Sequence, residues 1–317
     1  MLKSFKSLSD FRHAFPDEDA CINHFRVLRW PEADKIGCPH CGVIGAHYTL
    51  KNNAHKCRDC LKKFSVRHGT IFEDSKISLR KWFMAIFLMT SHKKGISSCQ
   101  LAKDIGVTQK TAWFMLHRIR NAAMTKEFKA PLSGTVEVDE AYVGPNPRFQ
   151  HADKRVPRSG TPTERGRKIV FGMAQRDGDI RLANIPDTKI ETTIPLVIAN
   201  VARRSNVHTD ESANYSWMDT VYARSLVVHT LGEYVRGDTT TNRIEGVFSH
   251  FKRTMIGTYH KASAKHLDRY LQMFAFRWNR RTKGKRKNKV VYGEDQRVND
   301  LLRSTKGRRL SYKMLID

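Results

Sequence analysis

Two cysteine pairs near the N-terminus limit most strongly what this chain can fold into. CPHC at 38–41 and CRDC at 57–60 are CxxC knuckles, and 15 residues separate them. Each knuckle points two thiolates at one spot, so the pair offers the four sulfurs that tetrahedral zinc takes. A fold of roughly 30 residues cannot be held by its own core, and bound metal would stabilise it. The predicted ligands of one structural Zn²⁺ are Cys38, Cys41, Cys57 and Cys60.

Other roles for these thiols stay open on spacing alone. They can be unrelated thiols or a redox pair, but paired knuckles at this spacing favour metal. Cys21 and Cys99 stand alone, and His40, His47 and His55 lie near the knuckles. We expect the histidines to be surface residues rather than ligands, because four sulfurs already fill a tetrahedral site.

The charge balance predicts a polyanionic partner. Of 317 residues, 57 are lysine or arginine and 31 are aspartate or glutamate, which leaves a net charge of +26. Such a surplus repels itself in a compact fold, and nucleic acid is the usual partner that neutralises it. Some zinc ribbons bind only protein, but this one has a basic face that favours DNA. Its basic residues are Lys51, His55, Lys56, Arg58, Lys62, Lys63 and Arg67.

The sequence predicts no membrane partner. It contains no run of 18 apolar residues, and residues 1–15 lack the unbroken apolar stretch of a signal peptide. We therefore expect the protein in the cytoplasm, associated with the nucleoid.

Residues 97–122, SSCQLAKDIGVTQKTAWFMLHRIRNA, have the pattern of two helices joined by a turn. Apolar residues recur at helical spacing on both sides of Gly106, and Thr108 is placed to cap the second helix. In a helix-turn-helix module, the start of the second helix contacts bases. An ordinary helical hairpin has the same pattern and stays the alternative. The side chains predicted to contact DNA there are Gln109, Lys110, Thr111 and Trp113.

PLSG at 131–134 ends the helical pattern, and an α/β pattern follows it. Strands are predicted at 135–144, 168–175, 179–186, 206–212 and 225–230, and helices at 192–202, 242–256 and 264–280. This order favours a mixed sheet covered by helices. Residues 145–167 are predicted to form a basic loop, and the basic run RTKGKRKNK leads into a predicted basic tail at 284–317.

Three acidic residues have notable places in this α/β pattern. Asp139 ends the first predicted strand, Asp210 ends the fourth, and Glu245 lies on the helix after the last strand. Lys252 follows Glu245 by seven residues, nearly two helical turns, so the two side chains share a face. Spacing alone does not select these acids from the 31 in the chain. The competing acids are Glu137, Glu140, Glu211 and Asp238.

The residue types fit metal-dependent phosphodiester chemistry. Two divalent ions about 3.5–4 Å apart activate an attacking oxygen and stabilise a leaving oxygen. Mg²⁺ prefers carboxylate oxygens, and a lysine can hold a phosphate as a point charge. The sequence therefore predicts that Asp139, Asp210 and Glu245 bind Mg²⁺ or Mn²⁺, with Lys252 near a phosphate. Arg253 is a further predicted DNA contact.

Together these motifs resemble bacterial insertion-sequence transposases of the DDE superfamily, the group with an N-terminal zinc ribbon and a ribonuclease-H-like catalytic domain. The resemblance rests on CPHCG, CRDC, VEVDEAYVG and VHTDES, and above all on TNRIEGVFSHFKR and GTYHKASAKHLDRYLQMFAFRWNRR. It implies a catalytic triad of Asp139, Asp210 and Glu245, followed by Lys252. Some members have Asn where others have the third acid, so Asn242, one turn before Glu245, stays the alternative.

The resemblance also implies an activity and a domain order. The protein would bind the terminal inverted repeats of its element in double-stranded DNA, cut there and join the freed 3′-hydroxyl to a target, as a homo-oligomer on DNA. A zinc-ribbon DNA-binding regulator with an inactive transposase-like domain is the alternative. The predicted fold is multidomain: a zinc ribbon and a helix-turn-helix-like region, then a ribonuclease-H-like α/β domain with a mixed sheet. The predicted boundaries are 1–68, 69–130, 131–283 and 284–317.

Overall fold

The computed structural model describes residues 2–32, 34–124, 130–144, 151, 166–281 and 291–316. The chain divides into two compact units. The first unit consists of Met1–Thr125 together with Val291–Asp317, and the second is Lys126–Val290. The chain therefore forms the whole second unit before it returns to the first.

The first unit begins with two helices and a small antiparallel sheet. Helices α1 (Leu8–Ala14) and α2 (Glu18–Arg29) both start with a side-chain cap. The strands, in their order across the sheet, are β1 (His47–Thr49), β2 (His55–Cys57) and β3 (Lys63–Phe64). Cys57 ends β2 and Cys60 lies between β2 and β3, so this sheet positions the second cysteine pair.

Three further helices complete the N-terminal part of this unit. The apolar sequence LRKWFMAIFLMTS forms the buried helix α3 (Leu79–Ser91). Helices α4 (Ser98–Ile105) and α5 (Gln109–Ala122) confirm the predicted helix pair. Gly106 ends α4 with a φ of +62°, a left-handed conformation that costs glycine little. The Thr108 side chain caps α5 by accepting from the backbone N–H of Thr111, as predicted.

The second unit is a mixed five-stranded sheet with helices on both faces. Its strands are β4 (Thr135–Val143), β5 (Lys168–Gln175), β6 (Ile180–Ile185), β7 (Asn206–Thr209) and β8 (Ala223–Leu226). The order across the sheet is β6-β5-β4-β7-β8. β7 pairs in parallel with both β4 and β8, whereas the β4–β5 and β5–β6 pairs are antiparallel. This topology confirms the predicted mixed sheet.

The two faces of this sheet bury different helices. The helices of the unit are α6 (Ile190–Asn200), α7 (Asn242–Thr254) and α8 (Ala264–Asn279). Apolar residues of α7 and α8 pack on one face, for example Phe248 and Phe274. On the other face Val197 of α6 packs together with Tyr215 and Met218. The last two belong to a 3₁₀-helix, Ala213–Thr220, which the residue pattern did not predict.

Two short strands, β9 (Val235–Arg236) and β10 (Thr239–Thr240), form a hairpin directly before α7. After α7 the chain makes one π-helical turn, Met255–Tyr259, before α8 begins. The predicted basic loop at 145–167 lies outside the described residues except for His151, Gly166 and Arg167, and so does the run RTKGKRKNK except for Arg281. None of the helices in the described parts of the chain is long and apolar enough to span a membrane.

The C-terminal residues differ from the predicted basic tail. Helix α9 (Glu294–Arg303) packs against α2 and α3, and the buried His24 Nε2 and Asn299 Oδ1 lie 2.8 Å apart. Its apolar residues Val298, Leu301 and Leu302 are fully buried. The tail prediction is wrong for these residues. It was based on the strongly basic run, but apolar residues at helical spacing follow that run.

The chain beyond α9 follows α5 and ends in the short helix α10 (Lys313–Ile316). The buried Arg118 side chain donates from Nε to the carbonyl oxygen of Leu310 at 2.8 Å. Asn121 of α5 donates in the same way to the Arg308 carbonyl at 2.9 Å. The N-terminal part of the first unit is therefore completed by the last residues described.

Candidate functional site

Adjacent parallel strands bring the two predicted aspartates to one level of the sheet. In the register of β4 with β7, Glu137 pairs with His208, so two residues further on Asp139 is level with Asp210. Asp210 directly follows β7, whereas Asp139 is the middle residue of the nine in β4. The prediction that Asp139 ends its strand is wrong, because β4 pairs with β5 as far as Val143. What ends just before Asp139 is the pairing with β7.

The Asp139 carboxyl group interacts with the other acids. Burial is the main cause that raises its pKa to about 8, and the charges of Glu140, Asp210 and Glu245 raise it further. The backbone N–H of Glu140 donates to Asp139 Oδ1 at 2.7 Å and opposes part of this rise. Like charges disfavour each other's ionisation at short range in a partly buried site. We refer to Asp139, Asp210 and Glu245 as the acid cluster.

Glu245 lies on the first turn of α7. The buried Thr241 donates from its hydroxyl to Glu245 Oε1 at 2.8 Å, and His229 Nε2 lies 3.6 Å from the same oxygen. The Glu245 side chain is 42% exposed, so it is open to a ligand from solvent. Asn242, the predicted alternative, is exposed at the first residue of α7.

An open cleft of about 560 Å³ joins the acid cluster to basic side chains. Asp139 and Glu245 line this cleft, and Lys252 lines it from two turns further along α7. Neither Asp210 nor Asn242 is among the described residues that line it. Its other charged lining residues are Glu140, Arg167 and Arg253. A cleft with both acidic and basic walls can hold a cation and a phosphate side by side.

The four knuckle cysteines form a second candidate site, in the first unit. Their sulfur atoms all lie within 4.8 Å of one another. The Sγ atoms of Cys38 and Cys60 are 3.7 Å apart, and those of Cys41 and Cys57 are 3.6 Å apart. These distances suit four sulfurs around a zinc ion with bonds of about 2.3 Å. No three carboxylates among the described residues are gathered as closely. The cysteines can therefore bind a structural zinc ion.

The three histidines near the knuckles differ in exposure. His40 is exposed and His47 is half-buried, whereas His55 is only 3% exposed. The His55 ring packs against the rings of Trp30 and Phe64. The predicted surface position is therefore wrong for His55, which belongs to the core of the ribbon. Its burial lowers the pKa of the imidazole, which favours the neutral form.

The residues of α5 that are predicted to contact DNA differ in their exposure to solvent and in their contacts within the protein. Gln109 and Lys110 are exposed, while Thr111 and Trp113 are half-buried. Gln109 Nε2 donates to Ser98 Oγ at 2.8 Å. The Lys110 ammonium group lies 5.1 Å from the ring centre of Tyr312, and the Trp113 ring packs on His117 at 4.4 Å between centroids. The exposed start of α5 is thus formed chiefly by Gln109 and Lys110.

Comparison with known proteins gives a family. Residues 131–279 match the model of an ISXO2-like transposase domain, and residues 16–63 match that of a transposase zinc-ribbon domain. An uncharacterized protein in transposable element ISH50 of Halobacterium salinarum is 31% identical over 278 residues, covering 83% of this chain and 91% of that protein. The chain belongs to the ISXO2-like transposase family.

Each of the two family matches contains one of the two candidate sites of this transposase-family chain. The transposase-domain match contains the whole acid cluster and Lys252, and the zinc-ribbon match contains all four cysteines. Helices α4 and α5, at 98–122, lie outside both matches. The DNA contacts predicted for α5 therefore rest on its own sequence and structure.

Two of the competing acids, Glu211 and Asp238, are not among the described residues that line the cleft. Glu211 follows Asp210, but its carboxylate accepts the backbone N–H groups of His229 and Thr230 at 2.9 and 3.0 Å. The hydrogen bond from its own backbone N–H is the main cause that lowers the pKa of Glu211 to about 2, and the bonds from His229 and Thr230 lower it further. Asp238 is exposed in the turn between β9 and β10. Glu211 instead holds the loop that brings His229 to Glu245.

Sequence reasoning missed the roles of two further residues in the transposase domain. The buried Tyr215 donates from its hydroxyl to Glu140, which lies next to Asp139 in the chain. Burial is the main cause that raises the pKa of Glu140, and this contact opposes it. Nothing in the sequence around Tyr215 signals the contact, because it joins a 3₁₀-helix to a strand 75 residues away. The second of these residues is Glu137, on the same strand as Asp139.

Proposed function

We propose that this protein is a metal-dependent DNA transposase that binds the terminal inverted repeats of an insertion sequence, cleaves DNA there and transfers the freed strand to a target. The observation that carries the proposal is the acid cluster beside Lys252 in a domain of the transposase family. Carboxylates whose charges disfavour each other are stabilised by a cation, and a neighbouring lysine suits a phosphate. Both are parts of phosphodiester chemistry.

The strand order supports a ribonuclease-H-like fold for the second unit. Numbered within the unit, the strands lie in the order 3-2-1-4-5, with the first three antiparallel and the last two parallel to the first. The family resemblance implies that the first acid lies on strand one, the second follows strand four and the third lies on a later helix. Asp139, Asp210 and Glu245 have these positions.

The donor set fits Mg²⁺ or Mn²⁺. Asp139, Asp210 and Glu245 offer carboxylate oxygens, which hard divalent ions prefer. Burial first, and then the charges of the neighbouring acids, raise the pKa of Asp139, and a bound cation would relieve the repulsion between these charges. When bound at these three residues, the metal would activate the attacking oxygen and stabilise the leaving oxygen.

The chain's own residues orient the acids and the DNA. Thr241 fixes one oxygen of Glu245 through its hydroxyl, which leaves the other free to act as a ligand. Lys252 lies on the same helix face and holds a phosphate beside the acids. A second cleft of about 780 Å³ shares Arg167 and Lys252 with the first and adds Lys168 and Lys261. This basic continuation offers a path for the DNA backbone away from the acid cluster.

Binding of double-stranded DNA also involves the first unit in this proposal. The net charge of +26 supports strong, salt-dependent attraction to DNA. The zinc ribbon and the α4–α5 pair, taken as a helix-turn-helix, would recognise the element ends. Joining two ends to one target requires two sets of acids, so we expect a homo-oligomer on DNA.

The test is cleavage and strand transfer by the purified chain on DNA that carries its own element ends. With Mg²⁺ or Mn²⁺ we expect nicked products and joined products, and with a chelator neither. A DNA-binding regulator with an inactive domain would bind the same ends and release no products under either condition. That outcome would replace the proposed function.

Recognition by α5 leads to a separate prediction. Replacing Gln109 and Lys110 by alanine should weaken binding to element ends by at least about tenfold, because one good base contact is worth about 1–3 kcal/mol. Binding to unrelated DNA should fall less than about threefold. Fluorescence anisotropy with both DNAs at one salt concentration measures the difference. Lys94→Ala, which removes an exposed lysine before α4, is the matched control. Equal losses on both DNAs would contradict base recognition by α5.

A further inference from the structure

Glu137 is a buried carboxylate on the strand of Asp139. The two residues are two positions apart on β4, so their side chains lie on the same face of the sheet. Glu137 is 1% exposed. Its Oε2 accepts the backbone N–H groups of Arg243 at 2.8 Å and Ile244 at 3.1 Å, and the Arg176 guanidinium lies 3.5 Å from Oε1. These donors give both oxygens of the buried carboxylate a partner, as buried polar groups require.

The two N–H donors are in the first turn of α7, the helix that carries Glu245. N–H groups of a first turn have no partner within their helix, and the helix dipole favours a negative charge there. The residue before α7, Thr241, makes no side-chain cap bond, and its hydroxyl donates to Glu245. Glu137 therefore replaces the missing cap from the neighbouring strand.

Close packing sets the distance between α7 and the sheet. Gly172 pairs with Asp139 across the β4–β5 register. A Cβ atom at Gly172 would lie 2.7 Å from both Ile244 Cδ1 and Phe248 Cζ, closer than real contacts allow. Two buried side chains of α7 thus lie directly on the strand backbone next to Asp139, and a methyl group at Gly172 would have to push the ends of these side chains aside.

We propose that Glu137 is a positioning residue that fixes Glu245 relative to Asp139, so that the acid cluster binds a divalent cation. The inference rests on the proposed function, since it takes Glu245 as a metal ligand. Glu137 joins the strand of one ligand to the helix of another through two direct hydrogen bonds. Gly172 sets the same spacing by packing. Residues that orient metal ligands typically contribute about 10–100-fold to metal affinity.

The test measures Mn²⁺ binding to the zinc-loaded full chain by electron paramagnetic resonance, without DNA. We expect Glu137→Ala to weaken Mn²⁺ binding at least about tenfold. Glu137→Gln keeps an oxygen that accepts both N–H groups and should stay within about threefold of the parent protein. Gly172→Ala leaves Glu137 in place but crowds Ile244 and Phe248 of α7, and we expect it to weaken Mn²⁺ binding in the same direction as Glu137→Ala. Backbone amide exchange at Arg243 and Ile244 should accelerate in Glu137→Ala.

A matched control exists in the first unit. Glu18 accepts the backbone N–H groups of Leu79 and Arg80 at 2.8 and 3.0 Å, at the start of α3, and pairs with Arg67 at 2.6 Å. Glu18→Ala removes a cap of the same kind far along the chain from the acid cluster. We expect it to lower the unfolding temperature and to leave Mn²⁺ affinity unchanged.

Three outcomes distinguish the ideas. Unchanged Mn²⁺ affinity in Glu137→Ala and Gly172→Ala overturns the positioning role. An equal loss in Glu18→Ala also overturns it, because the effect would then be one of general stability. A parent protein that binds no Mn²⁺ and cuts no DNA overturns the proposed function together with this role. In that case, amide exchange at Arg243 and Ile244 still decides whether Glu137 caps α7.

Discussion

Replacing Asp139, Asp210 or Glu245 by its amide is expected to abolish cleavage of element-end DNA, with a rate loss of at least about 100-fold for each change. Each carboxylate holds charge at the place where the transition state needs it, and removal of one such group commonly costs this much. The losses should not add in double variants, because residues that act as a unit share one effect. Single-turnover cleavage with Mg²⁺ measures the rates.

Controls separate this loss from damage to the fold. Zinc content and affinity for element ends should be unchanged in all three variants, since the cysteines and α5 lie in the other unit. Asp238→Asn removes an exposed acid near α7 and should cleave normally. Asn242→Ala should also cleave normally. If Asn242→Ala abolishes cleavage while Glu245→Gln does not, the third ligand is Asn242.

Loss of the zinc site should have the second-largest effect. Cys57→Ser is expected to remove the bound zinc and to unfold the ribbon, because Cys57 is fully buried and its sulfur lies 3.6 Å from that of Cys41. Small metal-held folds take most of their folding free energy from the metal. Metal analysis of the purified protein should give one zinc per parent chain and none per variant. Circular dichroism should show the accompanying loss of structure.

The chain offers a control for the thiol itself. Cys99 is exposed on α4 and distant in sequence from both knuckles. Cys99→Ser should keep one zinc per chain and full affinity for element ends. A Cys57→Ser protein that retains its zinc would contradict the four-cysteine site. Zinc lost equally from both variants would show that the assay does not report on the knuckles.

Local patterns predicted much of this structure. The strand of VEVDEAYVG, the strand pair around the Asp177-Gly178 turn and the helices at 190–200 and 242–254 depend on periodicity and turn residues that neighbours in sequence supply. The cysteine spacing likewise predicted a four-sulfur site, and in the structure the four sulfur atoms lie within 4.8 Å of one another. The pairing of β4 with β7, which makes Asp139 level with Asp210, follows from strand order rather than from either segment.

What sequence reasoning missed depends on partners that are far apart along the chain. Glu137 was considered only as a competing ligand, because its hydrogen bonds join it to α7 more than 100 residues later. His55 was expected on the surface because four sulfurs already fill the zinc site, yet its ring packs between aromatic rings. Helix α9 was not predicted, although Val298, Leu301 and Leu302 recur at helical spacing; the helices that cover this apolar face lie more than 200 residues earlier. Periodicity in the sequence predicts which residues share an apolar face, but it does not predict the distant residues on which that face packs.

The return of the chain to its first unit has a consequence for synthesis. A ribosome delivers residues 1–125 before the second unit, whereas α9, which packs against α2 and α3, emerges after it. The whole second unit emerges in between. Domains generally fold as units, and usually the N-terminal one folds first. In this chain the first unit is completed after the second. A nascent chain can form its acid cluster before the residues near Leu310, which bind α5, have been synthesised.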